Sequence, residues 1–115
     1  MFYWSEKWGA LYNYGYWAIE AKKKGEVGAQ IDIVVDYGNN LFDIVECKYY
    51  KEEFEISTKY KDNLLNKRKM FREYGLDSKK NAEIRLVFIT VEGVKKNANF
   101  NDLNIDEMLL EELLL

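Results

Sequence analysis

The sequence predicts an α/β domain: a central mixed sheet of about four strands flanked by helices. Two apolar runs rich in Val, Ile, Phe and Tyr, residues 28–37 and 41–50, flank Gly38-Asn39-Asn40, which is turn chemistry, so they read as a β-hairpin. Residues 83–91, EIRLVFITV, form a nearly continuous apolar stretch, as a central strand covered on both faces does. A helical pattern from Ser57 to about Tyr74 separates the two features, which implies a crossover onto the sheet.

Length and composition set the frame. At 115 residues the chain suffices for one domain with a single modest core, and 48% apolar against 32% charged residues is ordinary for a soluble globule. No run is long enough to span a membrane and no signal-peptide pattern opens the chain, so a cytoplasmic protein without a membrane partner is expected. The single cysteine rules out an internal disulfide, and the absence of histidine removes the usual zinc ligand and general base. Any metal should therefore be a hard cation held by carboxylates. Residues 57–80 carry eight Lys or Arg against three acids, whereas residues 101–115 carry five acids and no base. With a pI near 5.1 the chain is no general polyanion binder, although the basic segment allows a local phosphate-binding face. A basic helix and an acidic tail that merely solvate the fold account for the same charges.

Residues 1–13 place Trp4, Trp8, Leu11 and Tyr12 at the spacing of a short amphipathic helix, interrupted by Gly9. Residues 14–21 read as a strand, and Lys22, Lys23, Lys24 and Gly25 as a basic loop. In the hairpin, alternation allows a test of geometry, since Glu46 and Lys48 share a face. A three-residue loop sets Tyr37 opposite Leu41, and with it Asp32 opposite Glu46 and Gln30 opposite Lys48; a two- or four-residue loop sets Asp32 opposite Val45. Ile31, Ile33 and Val35 are then expected on the other face with Val45, Cys47 and Tyr49, Cys47 being a small core residue. Ser57 is the expected N-cap of the following helix, Gly75 its stop, and Tyr60, Leu64, Phe71 and Tyr74 its apolar stripe. Lys67 falls inside that stripe, either to lay its stem over the core and reach water or to reach the carboxylates of the hairpin. Residues 93–103 read as a loop, and Asn104-Ile-Asp-Glu107 resembles a capping box opening a final helix over 104–115. Its leucines, with the N-terminal aromatics, make a homodimer plausible.

The chemistry is narrowed by what is missing. There is no phosphate loop, dinucleotide-binding glycine motif, HExxH or CxxC, and no histidine to activate a serine or cysteine. What remains is Asp32 in the first apolar strand with Glu46 and Lys48 in the second. Burying such groups costs several kcal/mol unless they are paired or bind a metal. Two carboxylates on adjacent strands suit Mg²⁺ (or Mn²⁺), and a lysine beside them can orient an attacking water and balance charge on a phosphoryl group. The combination fits phosphodiester hydrolysis; a structural ion-pair cluster is the other reading of the same residues.

Asp32 followed by Glu46-Cys47-Lys48 on the next strand of a hairpin resembles the PD-(D/E)xK nuclease superfamily. GAQIDIVVD, NLFDIVECKYYKEEFEI, KYKDNLLNKRKMF and LVFITVEGVKKN in order look like one group within it, the nuclease-like C-terminal domains of archaeal and bacterial AAA-type ATPases. The similarity covers roughly residues 14–115. It implies a restriction-endonuclease-like core and a metal-dependent DNA endonuclease, with Asp32 and Glu46 as metal ligands, the Cys47 carbonyl as a further ligand and Lys48 as the catalytic lysine. Gln30, Tyr60 and Lys67 are accessory candidates. Lys22, Lys23, Lys24, Lys59 and Arg68 would contact DNA, and an AAA-type ATPase is a second expected partner. Similar active domains carry a glutamate on a helix ahead of the first strand. Only Glu6 is early enough for that, while Glu20 fits the preceding strand, so the domain at 1–115 is expected to lack or shorten that helix. A catalytically inactive module of the same fold, binding DNA or an ATPase, is the alternative.

Overall fold

A computed structural model of the chain describes residues 13–76 and 81–113. Strands β1 (Asn13–Ile19), β2 (Ala29–Asp36), β3 (Leu41–Lys48), β4 (Glu83–Thr90) and β5 (Asp106–Leu109) form one mixed sheet in that spatial order. β1, β2 and β3 are antiparallel neighbours; β3, β4 and β5 run parallel. Helix α1 (Thr58–Met70), continued by a π-helical turn over Phe71–Gly75, makes the β3–β4 crossover. A short α2 (Ala98–Leu103) leads to β5, and α3 (Leu110–Leu113) follows it. The fold is the expected mixed sheet flanked by helices, with five strands in place of about four.

Local chemistry explains the boundaries. The Ser57 hydroxyl accepts a hydrogen bond from the Tyr60 backbone amide at 3.1 Å, capping α1 as its type predicts. The hairpin closes through Gly38-Asn39-Asn40, with Gly38 at φ 82° and Asn40 at φ 64°, both left-handed. The Tyr37 amide donates to the Leu41 carbonyl, and the ladder runs from Asp36↔Phe42 to Ile33↔Val45. This is the three-residue register, but the ladder ends at Ile33↔Val45, so the expected pairing of Asp32 opposite Glu46 is not part of it.

The sheet separates two apolar clusters. On the α1 face Ile31, Val34, Phe42, Ile44, Leu86 and Phe88 pack with Ile56, Leu64 and Phe71. On the opposite face lie Val35, Tyr37, Val45, Val87, Ile89 and Met108, with Ile33 and Cys47 beside them. Ile31 thus lies on the α1 face, not with Ile33 and Val35 as strict alternation predicts. The reason is a bulge: Gly15 pairs with Val34 and Trp17 with Ile31, so Tyr16 alone faces both Asp32 and Ile33. One extra residue reverses the parity of everything beyond it.

Three further expectations are corrected. Residues 98–103 are a helix, because the Asn97 carboxamide oxygen caps the Phe100 amide. Asn104 does not open a helix; it ends α2 in the left-handed conformation at φ 55°. Residues 106–109 then become the edge strand β5, and Glu107 accepts from the Val94 amide and pairs with Lys96 rather than completing a capping box. Tyr74 does not join the apolar stripe, since its hydroxyl donates to Glu26. The proposed N-terminal helix, with Glu6, lies outside the described residues. Among the described residues no helix is long and apolar enough to cross a membrane.

Candidate active site

Glu46 is the centre of the site. It projects from β3 toward α1, its side chain only 8% exposed, and both carboxylate oxygens are engaged. The Tyr60 hydroxyl donates to Oε1 at 2.6 Å. The Lys67 ammonium donates to Oε1 at 3.3 Å and to Oε2 at 3.2 Å. Tyr60 and Lys67 are seven positions apart, two turns of helix, and therefore share the sheet-facing side of α1. Of the two readings for Lys67, the structure shows the one in which it reaches a hairpin carboxylate. Burial, the Glu46 charge and this hydrogen bond together raise the Tyr60 phenol far above its ordinary value, so it stays a donor.

Lys48 lies two residues along β3 but does not touch Glu46. Its ammonium sits over the Tyr60 ring, 4.8 Å from the centroid, and 5.4 Å from that of Phe54. Phe54 is fixed there by a parallel bridge to Val94, and it stacks with Phe88 behind and Tyr50 in front. The Asn97 and Asn99 carboxamides hold the neighbouring Ile56 carbonyl. Lys48 therefore has a built aromatic seat, which the aromatic content of 49–60 signals only in retrospect.

A cleft of about 650 Å³ opens between the β1–β2 end of the sheet and α1. Glu20, Gln30, Asp32, Asn63 and Lys67 line it with the backbone-rich edge of Ala18, Ile19, Gly28 and Ala29. Asp32 is exposed there, re-aimed by the bulge, and its Oδ1 accepts from the Gln30 carboxamide at 3.2 Å. Gln30 pairs with Ala18 on β1, and the β2–β3 ladder ends before it could face Lys48. A Cβ at Gly28 would stand 2.9 Å from the Ile19 carbonyl oxygen, so glycine alone lets the strands close at this edge. The Asn66 carboxamide donates to the Val27 and Gly28 carbonyls, tying α1 to the same edge.

The structure thus brings Asp32, Gln30, Glu20 and Lys67 to one cleft and Tyr60 and Lys67 to Glu46, with Lys67 common to both sets. Asn63 was not foreseen; its position one turn before Lys67 on α1 is the signal that could have found it. Lys22, Lys23 and Lys24 are exposed in the loop after Glu20, where the Lys22 and Lys23 amides donate to the Glu26 carboxylate. Lys59 is exposed and Arg68 half-buried on α1. Cys47 turns its side chain to the opposite face, which leaves only its backbone near Glu46.

The oxygen donors here match a hard divalent cation in type, and Glu46 demonstrably accepts a cationic group, although that group is an ammonium. Among the described residues no three Asp, Glu, Cys or His side chains form a metal-binding group. A cation would therefore rely on the Asp32 and Glu46 carboxylates, the Cys47 carbonyl and water.

No family model matches the chain, and no curated protein matches it. Among solved structures it is similar to a crystal structure of a protein of unknown function, AF1548, with a TM-score of 0.52 at 14% identity. The match covers 93% of this chain and 52% of that one, so the chain spans about half the length of its structural relative. At this identity the likeness shows the fold alone.

Proposed function

We propose that this domain is a metal-dependent nuclease module acting on the phosphodiester bonds of DNA. One observation carries the reading: Asp32, Gln30 and Glu20 share a cleft with the same lysine that neutralises Glu46. Lys67 thereby links the buried Glu46 carboxylate to the open, polar cleft that Asp32 lines. A Mg²⁺ or Mn²⁺ ion held by Asp32, Glu46 and the Cys47 carbonyl would polarise a phosphoryl oxygen and acidify a bound water. The protein's own residues supply the rest. Gln30 fixes the Asp32 carboxylate by hydrogen bonding, and Tyr60 orients Glu46. Lys48, held over two rings, and Lys67, at the cleft wall, provide the positive charge that a five-coordinate phosphorus requires. Lys22, Lys23, Lys24, Lys59 and Arg68 offer charge for the flanking phosphates. Glu20, just past the end of β1, adds an accessory carboxylate to the same cleft.

The test is cleavage of labelled duplex, single-stranded and branched DNA in Mg²⁺ or Mn²⁺. Asp32→Ala and Lys48→Ala should each lower cleavage by at least about 100-fold, the usual weight of one such group. Cleavage that survives both changes rejects the assignment.

A second reading is favoured by the double engagement of Glu46 and the aromatic seat of Lys48. In it the domain binds DNA, or an AAA-type ATPase, without cutting. It predicts salt-sensitive DNA binding or ATPase capture together with no cleavage in either metal.

A further inference from the structure

Lys67 has a second contact, to Glu46, that its part in the proposed hydrolysis does not explain. Its ammonium bonds both oxygens of a carboxylate that has almost no other access to solvent, yet its own side chain is 18% exposed and forms part of the cleft wall. The Tyr60 hydroxyl and the Lys67 ammonium between them engage both carboxylate oxygens, so a second cation that takes Glu46 must displace one of them. A lysine is a point charge on a flexible stem, without the planar fork that makes an arginine pair rigid. A route of withdrawal is also present. The cleft that Lys67 lines contains the carboxylates of Asp32 and Glu20, so the ammonium can leave Glu46 without losing solvation or counter-charge.

We propose that Lys67 is the resident counter-ion of Glu46, and that a divalent cation and the Lys67 ammonium compete for that carboxylate. The inference rests on the proposed metal site and adds to it an exchange of ligands. In the cation-free protein the Lys67–Glu46 pair keeps a nearly buried carboxylate neutralised. When a cation takes Glu46, Lys67 moves into the cleft, where its charge faces an incoming phosphate. Cation binding and phosphate binding then assist each other through one side chain.

Calorimetric titration of the full chain with Mn²⁺, free of DNA, tests this. Lys67→Met removes the competitor and should tighten Mn²⁺ binding about tenfold, within the usual range for linked sites. Lys67→Gln, the more polar replacement, is the second variant should the methionine chain fold poorly. Lys69→Met removes one charge from an exposed position of the same helix and should change the affinity less than about twofold. Equal or weaker Mn²⁺ binding by both Lys67 variants, with wild-type binding intact and abolished by Asp32→Asn, overturns the exchange while the metal site stands. If the wild type, the Lys67 variants and Asp32→Asn all fail to bind Mn²⁺, the metal site itself is rejected, and the exchange with it.

Discussion

Strand β3 carries two buried carboxylates, Asp43 and Glu46, on opposite faces of one sheet, and each is met by a tyrosine hydroxyl and a basic side chain. Asp43 is wholly buried; the Arg85 Nε donates to its Oδ1 at 2.7 Å and a terminal guanidinium nitrogen to Oδ2 at 3.1 Å, while the Tyr37 hydroxyl adds 2.8 Å to Oδ2. Arg85 is the direct neighbour of Asp43 in the parallel β3–β4 ladder, so sheet pairing itself fixes the partner. Burial, the largest single influence, lowers the Arg85 pKa, but the Asp43 hydrogen bond and charge, with Tyr37 and Asp106, together outweigh it and the group ends above its ordinary value. Glu46 has the same kinds of partner on a different scaffold: its tyrosine and its base come from a helix, and the base is a lysine bordering a cleft. The recipe is shared, but the scaffold is not. Two paired strands and a planar fork make a lock on the sheet register, whereas a lysine stem beside an open cleft is what the proposed exchange requires.

The largest expected effect comes from breaking the lock. Arg85→Met leaves the Asp43 charge buried with only Tyr37 beside it, and should cost about 3–5 kcal/mol of unfolding free energy. A denaturant titration measures it, and the Asp43→Leu/Arg85→Leu double variant should recover most of the loss, because apolar replacement of a whole buried pair is often neutral. A single-variant loss near zero would mean that Asp43 is hydrated, and the contrast between the two faces would collapse.

Breaking the exchangeable pair should cost less. Lys67→Met in chelator should lose about 1–2 kcal/mol, discounted because the lysine is part-exposed and Glu46 keeps its Tyr60 donor. The sharper distinction is in the response to metal. Added Mn²⁺ should restore stability to Lys67→Met and leave Arg85→Met unchanged, since the proposed cation site includes Glu46 and not Asp43. Equal rescue of both variants, read from denaturant midpoints, would erase the distinction.

The sequence revealed one of these two carboxylate sites and concealed the other, for identifiable reasons. Asp32, Glu46 and Lys48 stood out because each interrupts an apolar run, and the three-residue loop set the hairpin register through Gly38 and Asn40. Asp43 and Arg85 interrupt apolar runs just as plainly, but only the β3–β4 register makes them partners, and parallel pairing leaves no local signature to read. The bulge at Asp32-Ile33 was hidden as well, because no glycine marks it on β2 itself; it arises from how β1 pairs on either side of Tyr16. Strand β5 was obscured by chemistry that suits two structures. Asn-Ile-Asp-Glu can cap a helix, yet the same Asn104 ends the preceding one, and pairing with β4 decides the matter. Tyr60 and Lys67 were legible as sharing one side of a helix, but that both meet Glu46 required the tertiary packing of α1 on β3.

A third carboxylate–tyrosine pair extends the comparison to its weakest member. Glu26 accepts from the Tyr74 hydroxyl at 2.8 and 3.0 Å and from the Lys22 and Lys23 amides, fastening the basic loop to the end of α1. Its Tyr74 hydrogen bond, the largest influence, holds the Glu26 carboxyl below its ordinary 4.5, and the same bond pushes the Tyr74 phenol from 10 up to about 12. The signs give two edges. A lowered carboxyl stabilises the fold above 4.5 and loses that contribution as pH falls through its folded value; a raised phenol stabilises below 10 and loses its contribution as pH climbs through about 12. Tyr74→Phe should therefore lower the urea midpoint slightly across the neutral range, with the gap to wild type narrowing at both extremes. Because this pair lies at the surface, water replaces what the substitution removes, and the effect should be the smallest of the three. A gap that persists undiminished beyond pH 12 would assign the difference to packing of the ring rather than to the hydrogen bond, and the loop carrying Lys22, Lys23 and Lys24 would then be held by contact rather than by charge.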